Sequence, residues 1–305
     1  MKLITNLVVL LSIILVGYFA KRKGILPSQS ASVMVPLVLH ITLPALILVS
    51  MNLPYGVKLA MDTMAIALLA ILFTLLMIVL SKWITHFLTM PELDKRQWRF
   101  ALIFGNVTFI GYPLAYLILG QEGIFLSAIF DFIQSFFMFT YGIHHLAGET
   151  VSVSSWRKMV REPVIVALTL GIVMFFMNVS WPAPVMTVLD KIGSTTTVLS
   201  MLVVGLLLEF QGLKSKKTIV RQGLLVLWKL FIIPSIFLLV APWLRLSSSV
   251  FIVSVVMISM PTAILSTVLS EKFAGDGQFA AGSVFLTHLL CLLSLPLILF
   301  MAGVI

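Results

Sequence analysis

Apolar stretches of about twenty residues recur from one end of this chain to the other, the length an α-helix needs to cross a hydrocarbon layer of roughly 30 Å. Of its 305 residues, 60% are hydrophobic and 10% charged, whereas charged residues make up about a quarter of a soluble globular domain. A water-soluble enzyme or binding domain is thereby excluded. A barrel strand alternates apolar and polar residues, but runs such as Leu68 to Leu80 are apolar on every face, so the crossings are read as helices.

Dividing the runs at charges and turn residues predicts an all-α polytopic membrane protein with ten transmembrane helices, near 3–20, 30–51, 59–84, 98–119, 123–146, 163–179, 185–209, 222–244, 249–271 and 277–301. The formal net charge of +9 describes topology rather than nucleic-acid binding, because Lys and Arg cluster in alternate loops. Lys21, Arg22, Lys23, then Lys82, Lys95, Arg96, Arg99, then Arg157, Lys158, Arg161, then Lys214, Lys216, Lys217, Arg221, and finally Lys272 all follow odd-numbered helices. The opposite side holds Lys2, Lys58 and Arg245, with Lys191 close by. This bias puts the odd loops in the cytoplasm and both termini outside, as expected of a multi-pass protein of the cell (inner or plasma) membrane. The first run resembles a signal peptide, but the basic cluster directly behind it marks a retained helix. Cys291 is the single cysteine, so the chain builds neither a disulfide framework nor a thiolate cluster.

The longest hydrophilic connections, near 147–162 and 211–221, are too short to fold as domains, which leaves function to the helices. The first divides the chain into a five-helix repeat over 1–146, a cytoplasmic connecting loop over 147–162 and a second five-helix repeat over 163–305. Five is odd, so equivalent helices of this 5+5 layout run in opposite directions, an inverted repeat. Helix four carries GNVTFIGYP from Gly105 to Pro113, and helix nine carries SMPTA from Ser259 to Ala263. Proline at mid-span removes a helical hydrogen bond, and unwound backbone at membrane depth survives only inside protein or beside a water-filled cavity. Two broken, crossing helices at matching places point to a transporter site whose half-helix N-termini suit an anionic group. The competing reading is that Pro113 and Pro261 merely kink structural helices.

Polar residues within the runs supply the remaining candidates. Ser127, Asp131, Gln134 and Ser135 share one face of helix five, and an acid at that depth ordinarily faces a cavity or a partner. The stripe is read as a proton or cation site, against a structural interhelical hydrogen bond. Lys229 either snorkels to the headgroups or meets an acid or anion, and His288 titrates near physiological pH or is simply hydrogen-bonded. His40 and Arg245 rank lower. Hydroxyl faces at Ser259, Thr262, Ser266, Ser270 and at Ser283, Thr287, Cys291, Ser294 suit close packing as well as a hydrophilic path, with Ser259 and Thr262 favoured because they flank Pro261. Ser194 to Thr197 is read as scaffold packing. There is no HExxH, GxSxG or GxxxxGK[ST] motif, so metalloprotease, serine-hydrolase and phosphate-loop chemistry all lack their parts, and no cofactor is expected.

The stretches GNVTFIGYPLAYLILG, MPTAILSTVLSEKFAGDGQFAAGSVFLTHLLCLLSLPLIL and ITLPALIL resemble the auxin efflux carrier family, in its bacterial malate- and malonate-permease-like branch, and the likeness runs over essentially the whole chain. That resemblance implies a secondary carrier of small organic anions with an elevator-like mechanism. Helices one, two, six and seven would form a scaffold, three to five and eight to ten a mobile part, and the protein would form a homodimer. Asn106, Pro113 and Pro261 match the family's crossover motifs. Asp62 matches an acidic residue of plant relatives, with different spacing. The expected substrate site is Asn106, Thr108, Gly111, Pro113, Ser259, Pro261 and Thr262, with Asp131, Gln134 and His288 handling a coupling proton or sodium ion. Sodium symport of the kind run by bile acid carriers, and a non-transporting sensor or channel, are the alternatives.

Overall fold

The computed structural model describes residues 2–27, 29–54, 56–148, 161–207, 216–274 and 277–304, without the side chains of 2–4, 6, 7 and 274. Most of the predicted connecting loop at 147–162 lies outside the described residues, as do Tyr55, Arg157, Lys158 and Lys214. The described chain is helical, with a single isolated antiparallel bridge between Gly105 and Thr262.

The helices are α1 Lys2–Arg22, α2 Ser30–Leu37, α3 Leu43–Ser50, α4 Val57–His86, α5 Glu92–Ile103, α6 Tyr112–Phe137, α7 Ile143–Ala147, α8 Pro163–Phe176, α9 Ala183–Gly193, α10 Thr196–Leu207, α11 Lys216–Val226, α12 Ile233–Leu244, α13 Ser248–Ile258, α14 Leu265–Ala274 and α15 Gln278–Met301. Six helical segments among the described residues are long and apolar enough to cross a membrane: Ser30–Ser50, Val57–His86, Val107–Ala147, which Gly120 interrupts, Ala183–Leu207, Lys216–Leu244 and Gln278–Met301. Pro163–Phe176 and Ser248–Ile258 are shorter apolar helices.

Several of these segments contain wide π turns, and three of the turns have a common cause. Val38–Thr42 precedes Pro44, Val107–Gly111 precedes Pro113, and Leu227–Ile232 precedes Pro234. Proline lacks an N–H and its ring strikes the carbonyl one turn back; widening the preceding turn to i→i+5 bonds accommodates both. Pro113 therefore does not unwind its helix. It sits in the first turn of α6, beyond the break.

Gly120 lies within α6 at φ 62°, ψ −139°, a conformation that belongs essentially to glycine. It breaks the helix sharply with no intervening loop, between the end of the fourth predicted run and the start of the fifth. A Cβ on Gly123 would strike the carbonyl of Ala115, which shows how closely the two arms approach.

Packing sorts the helices into two groups. In the first, α1 and α2 lie along α10 and α3 packs on α8 and α9, with α3 also meeting α6 of the second. In the second group α4 packs on α5 and α6, α13 on α4 and α6, and α15 on α5, α11 and α14, while α14 also meets α7. Lipid tails are as apolar as leucine, so association must come from close packing and interhelical hydrogen bonds. Gly17 and Gly205 let α1 and α10 meet backbone to backbone, and Lys21 Nζ donates to the carbonyl of Leu206 across the same seam at 2.9 Å. Around the break in helix four, Trp98, Phe100, Phe104, Tyr112, Phe125 and Phe130 are fully buried, and Phe100 and Phe104 pack with ring centroids 4.7 Å apart.

Candidate functional site

Two helices stop part-way along their apolar runs, and their ends cross. α5 ends at Ile103, and Phe104 turns extended (φ −98°, ψ 122°); α13 ends at Ile258, and α14 begins only at Leu265. The extended pieces bind each other reciprocally: Asn106 N–H donates to the Pro261 carbonyl at 2.7 Å, and Ala263 N–H to the Phe104 carbonyl at 3.1 Å. This short antiparallel pair satisfies backbone groups that lipid could not.

The carbonyls at the end of α5 are met one by one. Thr262 Oγ1 donates to Ala101 O at 3.1 Å, Lys229 Nζ to Leu102 O at 2.8 Å, and Gln134 Nε2 to Ile103 O at 3.5 Å. Lys229 thus neither snorkels nor pairs with an acid; it caps a broken helix, where a cation is favoured. On the far side of the break, Asn106 caps the Val107–Gly111 turn, its Oδ1 accepting from Phe109 N–H at 3.3 Å. Its Nδ2 lies 2.8 Å from His288 Nε2, while His288 Nδ1 lies 2.8 Å from the Val284 carbonyl. A carbonyl only accepts, so Nδ1 carries the hydrogen, and Nε2 accepts from the Asn106 amide as neutral imidazole.

A cavity of about 510 Å³ adjoins the crossing. Asn106, Thr108, Asp131 and Gln134 line it, together with Gly105 and Ser135, and Ala263, Ile264 and Leu265 border it where α14 starts. Its opposite wall comes from the other helix group: Ser32, Val35 and Leu39 in and just after α2, and Leu207 at the end of α10. Both half-helix beginnings, at Val107 and Leu265, therefore open onto it, with the partial positive charge of helix N-termini. Asp131 Oδ2 accepts from Thr108 Oγ1 at 3.3 Å and from the buried Tyr112 hydroxyl at 3.2 Å.

Other sequence candidates stand behind this surface. A Cβ on Gly111 would meet Met257 of α13 at 3.1 Å. Pro113 is buried in α6, the Ser259 hydroxyl donates back to Val255 O at 2.7 Å, and Thr262 N–H donates to Thr287 Oγ1 at 3.2 Å. These residues, with Pro261 and His288, build and brace the crossing rather than line the cavity. Asp62 is buried on α4, away from the cavity, with Oδ2 unpartnered. His40 Nδ1 bonds to the Pro36 carbonyl at 2.9 Å, and Arg245 ends α12 in a left-handed conformation. Ser194 and Thr195 bond to their own helix backbone, and Cys291 is buried and free. Tyr112 was not among the sequence candidates; its only signal was a phenol directly beside Pro113, four residues before a second one, Tyr116.

Two discontinuous helices crossing beside a cavity between two helix groups define a multi-pass membrane transporter. The family described as "Membrane transport protein" matches this chain over residues 2–152 and 149–299. The chain belongs to that family, the auxin efflux carriers. A protein of Methanocaldococcus jannaschii described as an "uncharacterized transporter" is 24% identical over 298 residues, spanning 95% of each chain. One of the same description from Methanothermobacter thermautotrophicus is 26% identical over 298 residues, spanning 94% of each.

Proposed function

We propose that this protein is a secondary active carrier of a small organic anion, a mono- or dicarboxylate of the malate or malonate kind. The observation that carries this reading is the cavity between the two helix groups, onto which both half-helix N-termini, the Asn106 and Thr108 side chains and one acid, Asp131, all open. Its volume falls within the range usual for small-molecule sites, roughly 300–1,000 Å³. In this reading the chain crosses the cell membrane ten times as a 5+5 inverted repeat, with both termini outside, and works as a homodimer. The cavity lies near the start of α2, just after Lys21–Lys23, and along α14, which holds Lys272, and the positive-inside bias of these loops supports a cavity open to the cytoplasm. The group containing α2, α3 and α10 stands still, and the group holding the crossing carries the anion past it in an elevator-like movement.

An anion entering beside the Asp131 carboxylate meets like charge unless a proton enters with it. In this reading a proton taken up by Asp131 is the coupling ion, with sodium as the alternative that the gradients distinguish. Uptake of labelled malate, malonate, lactate and indole-3-acetate into proteoliposomes, with imposed pH or sodium gradients, tests the reading. Saturable uptake driven by an inward proton gradient is expected. In Asp131→Asn the amide preserves the acceptor for Thr108 and Tyr112 but takes no proton; gradient-driven uptake should fall about tenfold or more, within the range usual for proton-transfer groups, while exchange across equal pH persists. An Asp131→Asn carrier that concentrates substrate as well as wild type removes Asp131 from coupling, and a folded protein that moves none of the acids removes the substrate class.

A further inference from the structure

We propose that Lys229 is the carrier's built-in cation: its side-chain ammonium occupies the carbonyl end of α5 and does there what a bound sodium ion would otherwise do, holding the broken helix in its crossing. The inference rests on the carrier reading above and concerns how its site is kept assembled.

Three observations carry it. First, the accounting at the end of α5 is specific: a hydroxyl and a side-chain amide serve Ala101 O and Ile103 O, a backbone N–H serves Phe104 O, and Lys229 serves the remaining Leu102 O. A serine or glutamine would satisfy a carbonyl at far lower cost than a lysine at membrane depth. What lysine adds is charge, opposed to the negative end of a helix dipole. Second, Lys229 is 4% exposed, forms no ion pair among the described residues, and projects from the π turn Leu227–Ile232, whose extra residue re-aims it toward α5. Third, the space remaining beside it, bordered by Leu102, Ile103, Gly105 and Gln134, measures about 10 Å³. That is at most one small probe sphere, so with the lysine in place there is no room for a hydrated or multiply coordinated metal ion. Removing the lysine would leave the Leu102 carbonyl oxygen without its donor, at a vacated space bordered by Ile103 and Gln134, and a carbonyl at the negative end of a helix attracts a small hard cation such as sodium.

The test compares full-length wild type with Lys229→Ala, Lys229→Gln and Lys229→Arg in proteoliposomes, with sodium or choline as the bulk cation at constant pH. Wild-type uptake should be equal in both. Lys229→Gln, which reaches the carbonyl without charge, should fall about tenfold or more in both, the scale of a lost charge-assisted hydrogen bond. Lys229→Ala should fall as far in choline and recover severalfold in sodium, and Lys229→Arg should retain most uptake. Melting of the detergent-solubilised proteins supplies a second readout: sodium should raise the midpoint of Lys229→Ala and leave wild type unmoved. Wild-type uptake that requires sodium, a fully active Lys229→Gln in choline, or a Lys229→Ala protein indifferent to sodium in melting would each overturn the proposal. If wild type moves no acid at all, the carrier reading fails, and the melting comparison still decides the role of Lys229.

Discussion

Replacing Asn106 with alanine should reduce anion uptake by about two orders of magnitude while leaving a folded protein in the membrane. The substitution deletes the cap on Phe109 N–H and the donor to His288 Nε2. Losing an N-cap costs about 1 kcal/mol, and leaving a buried acceptor unsatisfied costs about 1–3 kcal/mol more. At about 1.4 kcal/mol per factor of ten, the sum reaches roughly a hundredfold if the intact crossing is needed for every transport cycle. Asn106→Asp makes the sharper experiment. Its carboxylate still caps Phe109 but sets an oxygen against the lone pair of His288 Nε2, a contact relieved when either the carboxylate or the imidazole takes a proton. Uptake by Asn106→Asp should therefore be low at neutral pH and recover as pH falls, whereas Asn106→Ala stays low throughout. Initial rates across pH, normalised to protein recovered in the vesicles, check both. A wild-type rate in Asn106→Ala would show that the cap and the histidine contact are dispensable.

Gly205→Val should prevent accumulation of folded protein altogether. A Cβ at that position would lie on the carbonyl oxygen of Ile14, 2.8 Å from Tyr18 N and 3.0 Å from the Cα of Gly17. These contacts are backbone atoms and cannot swing aside, so α1 would be forced away from α10, losing the Lys21 contact with Leu206 as well. Overpacking commonly costs about 1–3 kcal/mol; a branched side chain against rigid backbone belongs at or above the top of that range. Gly223→Ala is the control, because a Cβ on Gly223 meets nothing within 4 Å. Size-exclusion profiles of detergent extracts should show a monodisperse peak for Gly223→Ala and aggregate or nothing for Gly205→Val; equal peaks would show that the α1–α10 seam does not govern folding.

How far the fold was legible in the sequence depended on whether a feature was local. Apolar length placed the helical segments, and Gly120 to Gly123 separated the fourth run from the fifth. The break in helix four was foreseeable from Gly105 and Asn106, and that in helix nine from Pro261. Pro113 misled because the stretch could widen instead of unwind, and a π turn leaves no signature distinct from that of a kink. Asp131, Gln134 and Ser135 were readable as one polar face because helical spacing alone decides faces. The partnership of Asn106 with His288 joins residues 182 positions apart, and Lys229 meets Leu102 across 127; neither could come from spacing. The same holds for the division between cavity wall and brace: Thr108 and Thr262 are both hydroxyls beside a break, and only tertiary geometry sends one to the cavity and the other to the Ala101 carbonyl.

The interlocked bonds at the crossing restrict how this molecule can move. Four helical segments contribute to one tie: Thr262 beside α14, Lys229 before α12, Gln134 on α6 and His288 on α15 all hold the ends left by the break. Pulling Thr262 or Lys229 away would leave a buried carbonyl of α5 without its donor, at a cost of about 1–3 kcal/mol. The joint thus behaves as a closed buckle, strong when shifted whole and costly when opened. The surface opposite, where the cavity meets Val35, Leu39 and Leu207, is apolar and carries none of these ties. In the elevator-like reading proposed above, the anion is carried by slippage along that face, while the buckle stays fastened.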